Sequence, residues 1–350
     1  MNFASDNWAG AHPRIVEAVA SEAGRFGAAY GAAEMDRRAA ARFSEIFETA
    51  VSVYPVATGT AANALALAAL DRPGGFVFCH RECHSVEDEC GAVEHLTGGA
   101  RPYKLDGPAG KIAAADVTAA AARFDPGSVH GGRPMAVSIT QATEAGGVYS
   151  VAEIEAIAAA AHAAGLPLHM DGARFANALV AIDASPAEMT WQAGVDILSF
   201  GGTKNGCIGA DAIVVFDEGR ARDLPWLRMR TGHNFSKARF VSAQFEAYFA
   251  DGLWLRMAGH ANVMADLLRA GLDAAPHARQ AWPTTSNEVF AVLRRTDIVS
   301  LREKGASFYD WHKPHGADLG LTPEEGLVRL VTSFATERSE VEAFLAHLAK

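Results

Sequence analysis

A chain of 350 residues, 49% of them hydrophobic and 21% charged, is long enough for one large domain and a smaller one around a sizeable core. Its net charge of −10 argues against a nucleic-acid-binding face, and it contains no run of about eighteen apolar residues to span a membrane. Four cysteines over this length do not read as a disulfide framework, and the opening residues lack the basic-then-apolar order of a signal peptide, so a cytoplasmic protein with free thiols is expected.

In chain order, short apolar runs at 51–56, 76–79, 135–139, 166–170, 197–200 and 212–216 read as strands. Amphipathic or alanine-rich stretches at 61–70, 151–164 and 186–193 lie between them and read as helices. This alternation predicts an α/β fold with a mainly parallel sheet flanked by helices. From about 236 to 272 the pattern is helical, 287–293 reads as a further helix-like piece, and 327–333 as another strand. The expected organisation is an N-terminal segment plus a large domain over 1–245, then a smaller α+β domain over 246–350.

Two of the apolar runs end in polar groups and glycines. Residues 166–170 lead into Asp171 and Arg174, and 197–200 lead into Gly201, Gly202, Thr203 and Lys204. Parallel strands deliver such side chains to one edge of a sheet. Taken singly, a lysine after glycines is commonly just solvated, and Asp171 could simply cap the next helix. An acid, a cation and a lone lysine at neighbouring strand ends are together the groups that hold pyridoxal 5'-phosphate. Lys204 would form the Schiff base, Asp171 would face the pyridinium nitrogen, and the glycines would let the cofactor approach the backbone. The run at 51–56 leads into Thr58, Gly59 and Thr60 at the start of an alanine-rich helix. Backbone N–H groups, the Thr60 hydroxyl and the lack of bulk at Gly59 make a phosphate cup there.

Cys79, His80, Cys83, His84 and Cys90 crowd one segment. Zinc ligands usually come as two separated pairs, and no second pair follows, so no metal site is expected. A non-catalytic metal-binding protein built on that cluster is the competing class. His84 reads instead as an imidazole lying over the cofactor ring, and His95 as a surface helix residue. Arg329 interrupts an apolar strand, where a charge needs a partner. That partner is either a neighbouring Asp or Glu, or a substrate α-carboxylate matched by the guanidinium fork. The basic cluster from Arg228 to Arg239, with Arg230 and Lys237, reads either as neutralising a phosphate across a subunit interface or as a solvated turn.

On these residues the chain resembles, over almost its whole length, the L-threonine aldolases, pyridoxal-phosphate enzymes of the aspartate-aminotransferase-like fold (fold type I). Ser5-Asp6-Asn7 is similar to the family's N-terminal Ser-Asp motif, residues 58–60 to its phosphate turn, and Asp171-Gly-Ala-Arg174 to its signature. Val328-Arg-Leu-Val-Thr332 is similar to the strand that carries its carboxylate-binding arginine. The resemblance implies a seven-stranded, mainly parallel sheet and a cofactor covalent to Lys204. It implies cofactor contacts from Gly59, Thr60, His84, Asp171 and Arg174, and substrate contacts from Ser5, Arg174 and Arg329; Arg230 and Lys237 of the basic cluster are expected to join the cofactor contacts at its phosphate. Catalysis would fall to Lys204, His84 and Asp171 in a homo-oligomer, a tetramer or dimer. The implied reaction is reversible cleavage of L-threonine, L-allo-threonine and related β-hydroxy-α-amino acids to glycine and an aldehyde. β-Elimination from an amino acid is the alternative. The chain departs from the family where many relatives carry a second active-site histidine: residues 140–146 put Thr143 or Glu144 near its place. His84, directly or through water, is expected to take the β-hydroxyl proton, with water near Glu144 the next candidate.

Overall fold

Seven strands form the central sheet of the computed structural model, which describes every residue except Pro126, Ala221 and Lys350. They are β1 (Ser52–Val56), β2 (Gly75–His80), β3 (Arg101–Leu105), β4 (Arg133–Thr140), β5 (Leu168–Gly172), β6 (Ile197–Gly201) and β7 (Asp211–Val215), in the order β1-β7-β6-β5-β4-β2-β3. From β3 through β6 all pairings are parallel, whereas β7 runs antiparallel to both β6 and β1. The carboxyl ends of β1, β2, β4, β5 and β6 therefore share one edge with the amino end of β7. β5, β6 and β7 are buried at every position. Strands covered on both faces read as unbroken apolar runs, which is why they are visible in the sequence. β3 has no counterpart among the expected strands. It is an edge strand with exposed Arg101 and Lys104 and so lacks an apolar run.

Helices flank this sheet. Val151–Ala163 opens on a capping box in which the Ser150 hydroxyl accepts from Glu153 N and the Glu153 carboxylate accepts from Ser150 N. Gly59–Ala68 is buried over Ala61–Ala68, and its small side chains let it lie close against the sheet. The stretch 186–193 is not the expected helix but a series of turns ending in a 3-10 turn, Trp191–Ala193. There the Trp191 indole donates to Phe47 O at 2.7 Å, and Gly194, at φ +91°, redirects the chain toward β6. Phe200 in β6 packs edge-on against Phe43 at 5.3 Å, within a cluster that includes Phe175, Phe245, Phe249 and Trp254.

The second sheet is antiparallel throughout, in the order β10-β11-β9-β8, and comprises β8 (Ala278–Gln280), β9 (Glu288–Arg294), β10 (Tyr309–Asp310) and β11 (Glu325–Val331). Residues 287–293, expected to be helix-like, lie almost wholly in β9. One face of that strand, Val289, Ala291 and Leu293, enters the core under the helix Leu253–Ala274. The other, Phe290 and Val292, packs with Trp282 and Trp311. Burial on both faces erases the alternation that marks a half-buried strand. The cut expected between 245 and 246 falls inside the helix Arg239–Phe249, whose Val241, Phe245, Tyr248 and Phe249 belong to the core of the large sheet. We propose that the division follows that helix. The start of the chain joins the smaller body: Phe3 N donates to Ser307 O, Val331 N donates to Phe3 O, and the Phe3 ring is fully buried there. Among the described residues no helix is long and apolar enough to cross a membrane.

Candidate active site

At the shared edge of the large sheet lies a cavity of about 260 Å³, and Gly59, Thr60, His84, Asp171 and Lys204 all line it. A larger cavity of about 930 Å³, lined by residues such as Arg72, Phe124 and Arg133, lies at the entrances of β2 and β4 and holds none of the expected site residues. The smaller cavity is the candidate because the chemistry converges on it.

Lys204 sits in the 3-10 turn Thr203–Asn205 directly after β6. This turn is fastened from two sides. Asp211, the first residue of β7, accepts from Gly202 N, Thr203 N and the Thr203 hydroxyl. The Asn205 amide donates to the Tyr248 hydroxyl at 2.8 Å and to Trp254 O at 2.9 Å. Burial pushes the Asp211 carboxyl up to about 6, against the hydrogen bonds that favour its charge. Gly201 is required sterically, since a Cβ there would stand 2.7 Å from Ala173 O, where the ends of β5 and β6 meet.

Asp171, at the end of β5, accepts from Ala173 N at 3.0 Å and from the Asn63 amide at 2.9 Å. The same Asn63 amide donates to Glu89, also at 2.9 Å, and Glu89 in turn faces His84 Nδ1 at 2.9 Å. A carboxylate that already accepts from Asn63 accepts again from Nδ1–H, which leaves the His84 Nε2 lone pair free. The Glu89 hydrogen bond raises the His84 pKa above its ordinary value, while burial opposes it. Burial in turn raises the Glu89 carboxyl. Asn63, Glu89 and Asp211 were absent from the expected site. Asn63 did leave a signal, as the one amide in an otherwise alanine–leucine helix face; Glu89 and Asp211 left none.

A pyridoxal phosphate fits these groups. Asp171 is buried, yet among the described residues no ion pair includes it, so the protonated ring nitrogen would supply its missing counter-charge. At the start of Gly59–Ala68, the Thr58 hydroxyl caps Ala61 N, and a Cβ on Gly59 would meet nothing within 4 Å. Among the described residues the Gly59 and Thr60 N–H groups make no hydrogen bond and so stand open to a phosphate.

Beside the cavity four charged side chains are packed together. Arg174 donates from Nε and Nη2 to Asp6, at 2.8 and 3.1 Å, and its Nη1 lies 3.3 Å from Glu288. Arg329 Nη1 lies 3.7 Å from the same Glu288, with its guanidinium 4.1 Å over the Trp311 ring. A neighbouring acid is therefore the partner of Arg329 in this structure, and Glu288 was not among the expected residues. Burial works against the Arg174 charge, but Asp6, Glu288 and Glu144 more than offset it and hold its pKa above the ordinary value.

Ser5 caps the short turn Asp6–Trp8, its hydroxyl accepting from Asn7 N. Arg230 and Lys237 are exposed and do not line the cavity; Arg228 comes closer, donating to Pro55 O at 2.9 Å beside the phosphate turn. Thr143 is used structurally, its hydroxyl donating to Ala109 O at 2.7 Å, and half-buried Glu144 borders a groove with Trp282 and Trp311. His95 is exposed on its helix. Among the described residues, no three or more His, Cys, Asp or Glu are grouped to hold a metal ion.

Comparison with known proteins agrees with this geometry. A model of the beta-eliminating lyase family matches residues 2–296. A low specificity L-threonine aldolase of Pseudomonas sp. (strain NCIMB 10558) is 37% identical over 99% of this chain and 96% of its own length. Another, from Pseudomonas aeruginosa, is 39% identical over 90% of each chain. A solved structure of Leishmania major threonine aldolase superposes with a TM-score of 0.91 at 30% identity, covering 99% of this chain and 98% of that one. With sequence and fold in agreement, the chain belongs to the beta-eliminating lyase family, among the low-specificity L-threonine aldolases.

Proposed function

We propose that this protein is a pyridoxal-phosphate-dependent aldolase that cleaves L-threonine, L-allo-threonine and related β-hydroxy-α-amino acids, reversibly, to glycine and an aldehyde. The observation that carries the reading is Asp171, a buried carboxylate with no cation partner among the described residues, in one cavity with Lys204 and the Thr58–Thr60 turn. Bound there, pyridoxal phosphate supplies the electron sink that lets a substituent leave Cα.

The chain's own groups do the rest. Lys204 holds the cofactor covalently, and Asp171, oriented by Asn63, keeps the ring nitrogen protonated. Gly59 and Thr60 receive the phosphate. Arg329, with Ser5 and Arg174, would grip the α-carboxylate and so fix the orientation of the Cα–Cβ bond. His84, on the cavity wall, would take the β-hydroxyl proton at Nε2 as that bond breaks. Exposed Trp226 and Met229 share the helix Leu224–Arg230 with Arg230, which supports a subunit interface and a homodimer or tetramer in which Arg230 and Lys237 serve a neighbour's phosphate. Free thiols at all four cysteines support a cytoplasmic setting.

The test is product analysis. The holoenzyme supplied with L-threonine should release acetaldehyde and glycine; pyruvate and ammonia would assign it to β-elimination instead. Lys204→Ala should abolish both turnover and the visible band at ~410–430 nm. A purified protein that cannot be loaded with cofactor at all would overturn the proposal.

A further inference from the structure

We propose that Glu288 is an internal occupant of the substrate-carboxylate subsite, and that binding of a substrate carboxylate to Arg174 and Arg329 drives the uptake of one proton by Glu288. The inference rests on the reading of those two arginines given above.

It follows from counting charge in a closed space. Asp6, Arg174 and Glu288 are all buried, and Arg329 nearly so. Two anions there balance two cations. Asp6 is committed, accepting from Arg174 and from the Asn287 amide. Glu288 is not: its side chain is fully buried, and neither carboxylate oxygen has a hydrogen-bond partner. It is held only by the two guanidiniums, at 3.3 and 3.7 Å. Arg329 Nε is likewise buried without a partner, a donor left for a further acceptor.

A substrate α-carboxylate that takes up Arg329 brings a third anion against two cations, in a place from which water is largely excluded. Neutralising one carboxylate restores the balance, and Glu288 has no hydrogen bonds to lose by it. The other charged groups around it push the same way. Asp6 from the N-terminal turn and Glu144 from the loop after β4 are both anionic, while Arg269 behind the preceding loop is spent on Asp266, Thr284 and Ser286 O. Burial already raises the Glu288 carboxyl above its usual range, and the two arginines only partly counter this. Glu288 is therefore a positioning residue. Ionised, it parks both guanidiniums in the resting enzyme; protonated, it yields them to the substrate. Above the ionisation of Glu288, carboxylate affinity should weaken by up to about tenfold per pH unit.

The experiment titrates the holoenzyme with 3-hydroxybutyrate, which carries the carboxylate and hydroxyl but no α-amino group and so does not engage Lys204 chemistry. Calorimetry in two buffers of different ionisation heat counts the protons. Wild type should take up about one proton per site across the range in which affinity falls with pH, and Glu288→Gln should take up none. Glu288→Gln should also bind the probe more tightly at alkaline pH, with KM for L-threonine lowered and its pH dependence flattened. Should Glu288→Gln not fold, Glu288→Met carries the same expectation. Absence of proton uptake in wild type, equal uptake in the variant, or weaker binding by the variant would each overturn the inference. L-Threonine cleavage by the same preparation keeps the two readings apart. Cleavage without linked proton uptake rejects only the role of Glu288, and no cleavage rejects the aldolase. A probe that fails to bind while threonine is cleaved rejects the carboxylate subsite and this inference with it.

Discussion

One amide, Asn63, binds two carboxylates with different duties. Its Nδ2 reaches both Asp171 and Glu89, which faces His84, so the acid proposed to keep the ring nitrogen protonated and the acid beside the proposed base share a fixed spacing. Glu89 raises the His84 pKa, and a base must be unprotonated to act, so activity should climb through that ionisation as pH rises. Glu89→Gln removes the charge that favours imidazolium. The acid limb of the kcat/KM profile should then move to lower pH; an unmoved limb would take His84 out of the proton transfer. Residues with unusual neighbours in sequence, Lys204 after two glycines or Arg329 within an apolar strand, were legible without the fold. Glu288 was not, because its partners Arg174 and Arg329 are far away along the chain, and Glu89 was not, because among the acids that follow His84 only the folded turn selects the one that faces its ring. Arg329 showed only that an anion must be near, and both a neighbour and a substrate satisfied that condition.

The elements divide in the same manner. β5, β6 and β7 announced themselves as short apolar runs set between helical stretches, and the strand–turn–helix at 51–68 did so through its phosphate cup. β9 misled, since its apolar run at 289–293, covered on both faces, has no period to tell a strand from a buried helix and no strand–helix alternation around it to decide. β6 has to be rigid because the residues after it carry the chemistry. Phe200, wedged among Phe43, Phe245, Phe249 and Trp254, supplies that rigidity three residues before the Lys204 turn begins. Phe200→Ala should cost roughly 3–5 kcal/mol in urea unfolding and also loosen the cofactor, seen as faster loss of the visible band on dialysis. A destabilised variant that holds cofactor as wild type does would show that the turn is positioned by Asp211 and Asn205 alone.

For the molecule as a whole, two buried ionisable groups of the large sheet bear on the response to acid. His169 lies between the hydroxyls of Ser138 and Ser199, at 2.8 and 2.9 Å, and burial lowers its pKa to about 4. A histidine lowered in the folded state contributes stability above its unfolded value of 6.5 and loses it as pH falls through about 4. Asp211, raised from 3.8 to about 6, works oppositely, its contribution being full below 3.8 and lost as pH rises through about 6. Between pH 4 and 6 the two nearly cancel. Asp211→Asn should expose the histidine term, so that unfolding free energy falls by roughly 3 kcal/mol more than in wild type as pH drops from 6.5 to 4. Parallel wild-type and variant curves in urea would refute this.

The first seven residues also tie the two bodies together. Phe3 is stitched into the smaller sheet, Asp6 is clamped by Arg174 of the larger one, and Asn7 reaches the cavity wall. A displacement of the smaller body thus pulls directly on Arg174, one of the guanidiniums proposed to meet substrate, like a drawstring through both halves of a purse. Cutting that string by deleting residues 1–7 should silence turnover while the large sheet unfolds at its usual urea concentration, and a bulky fusion at this end should have the same effect.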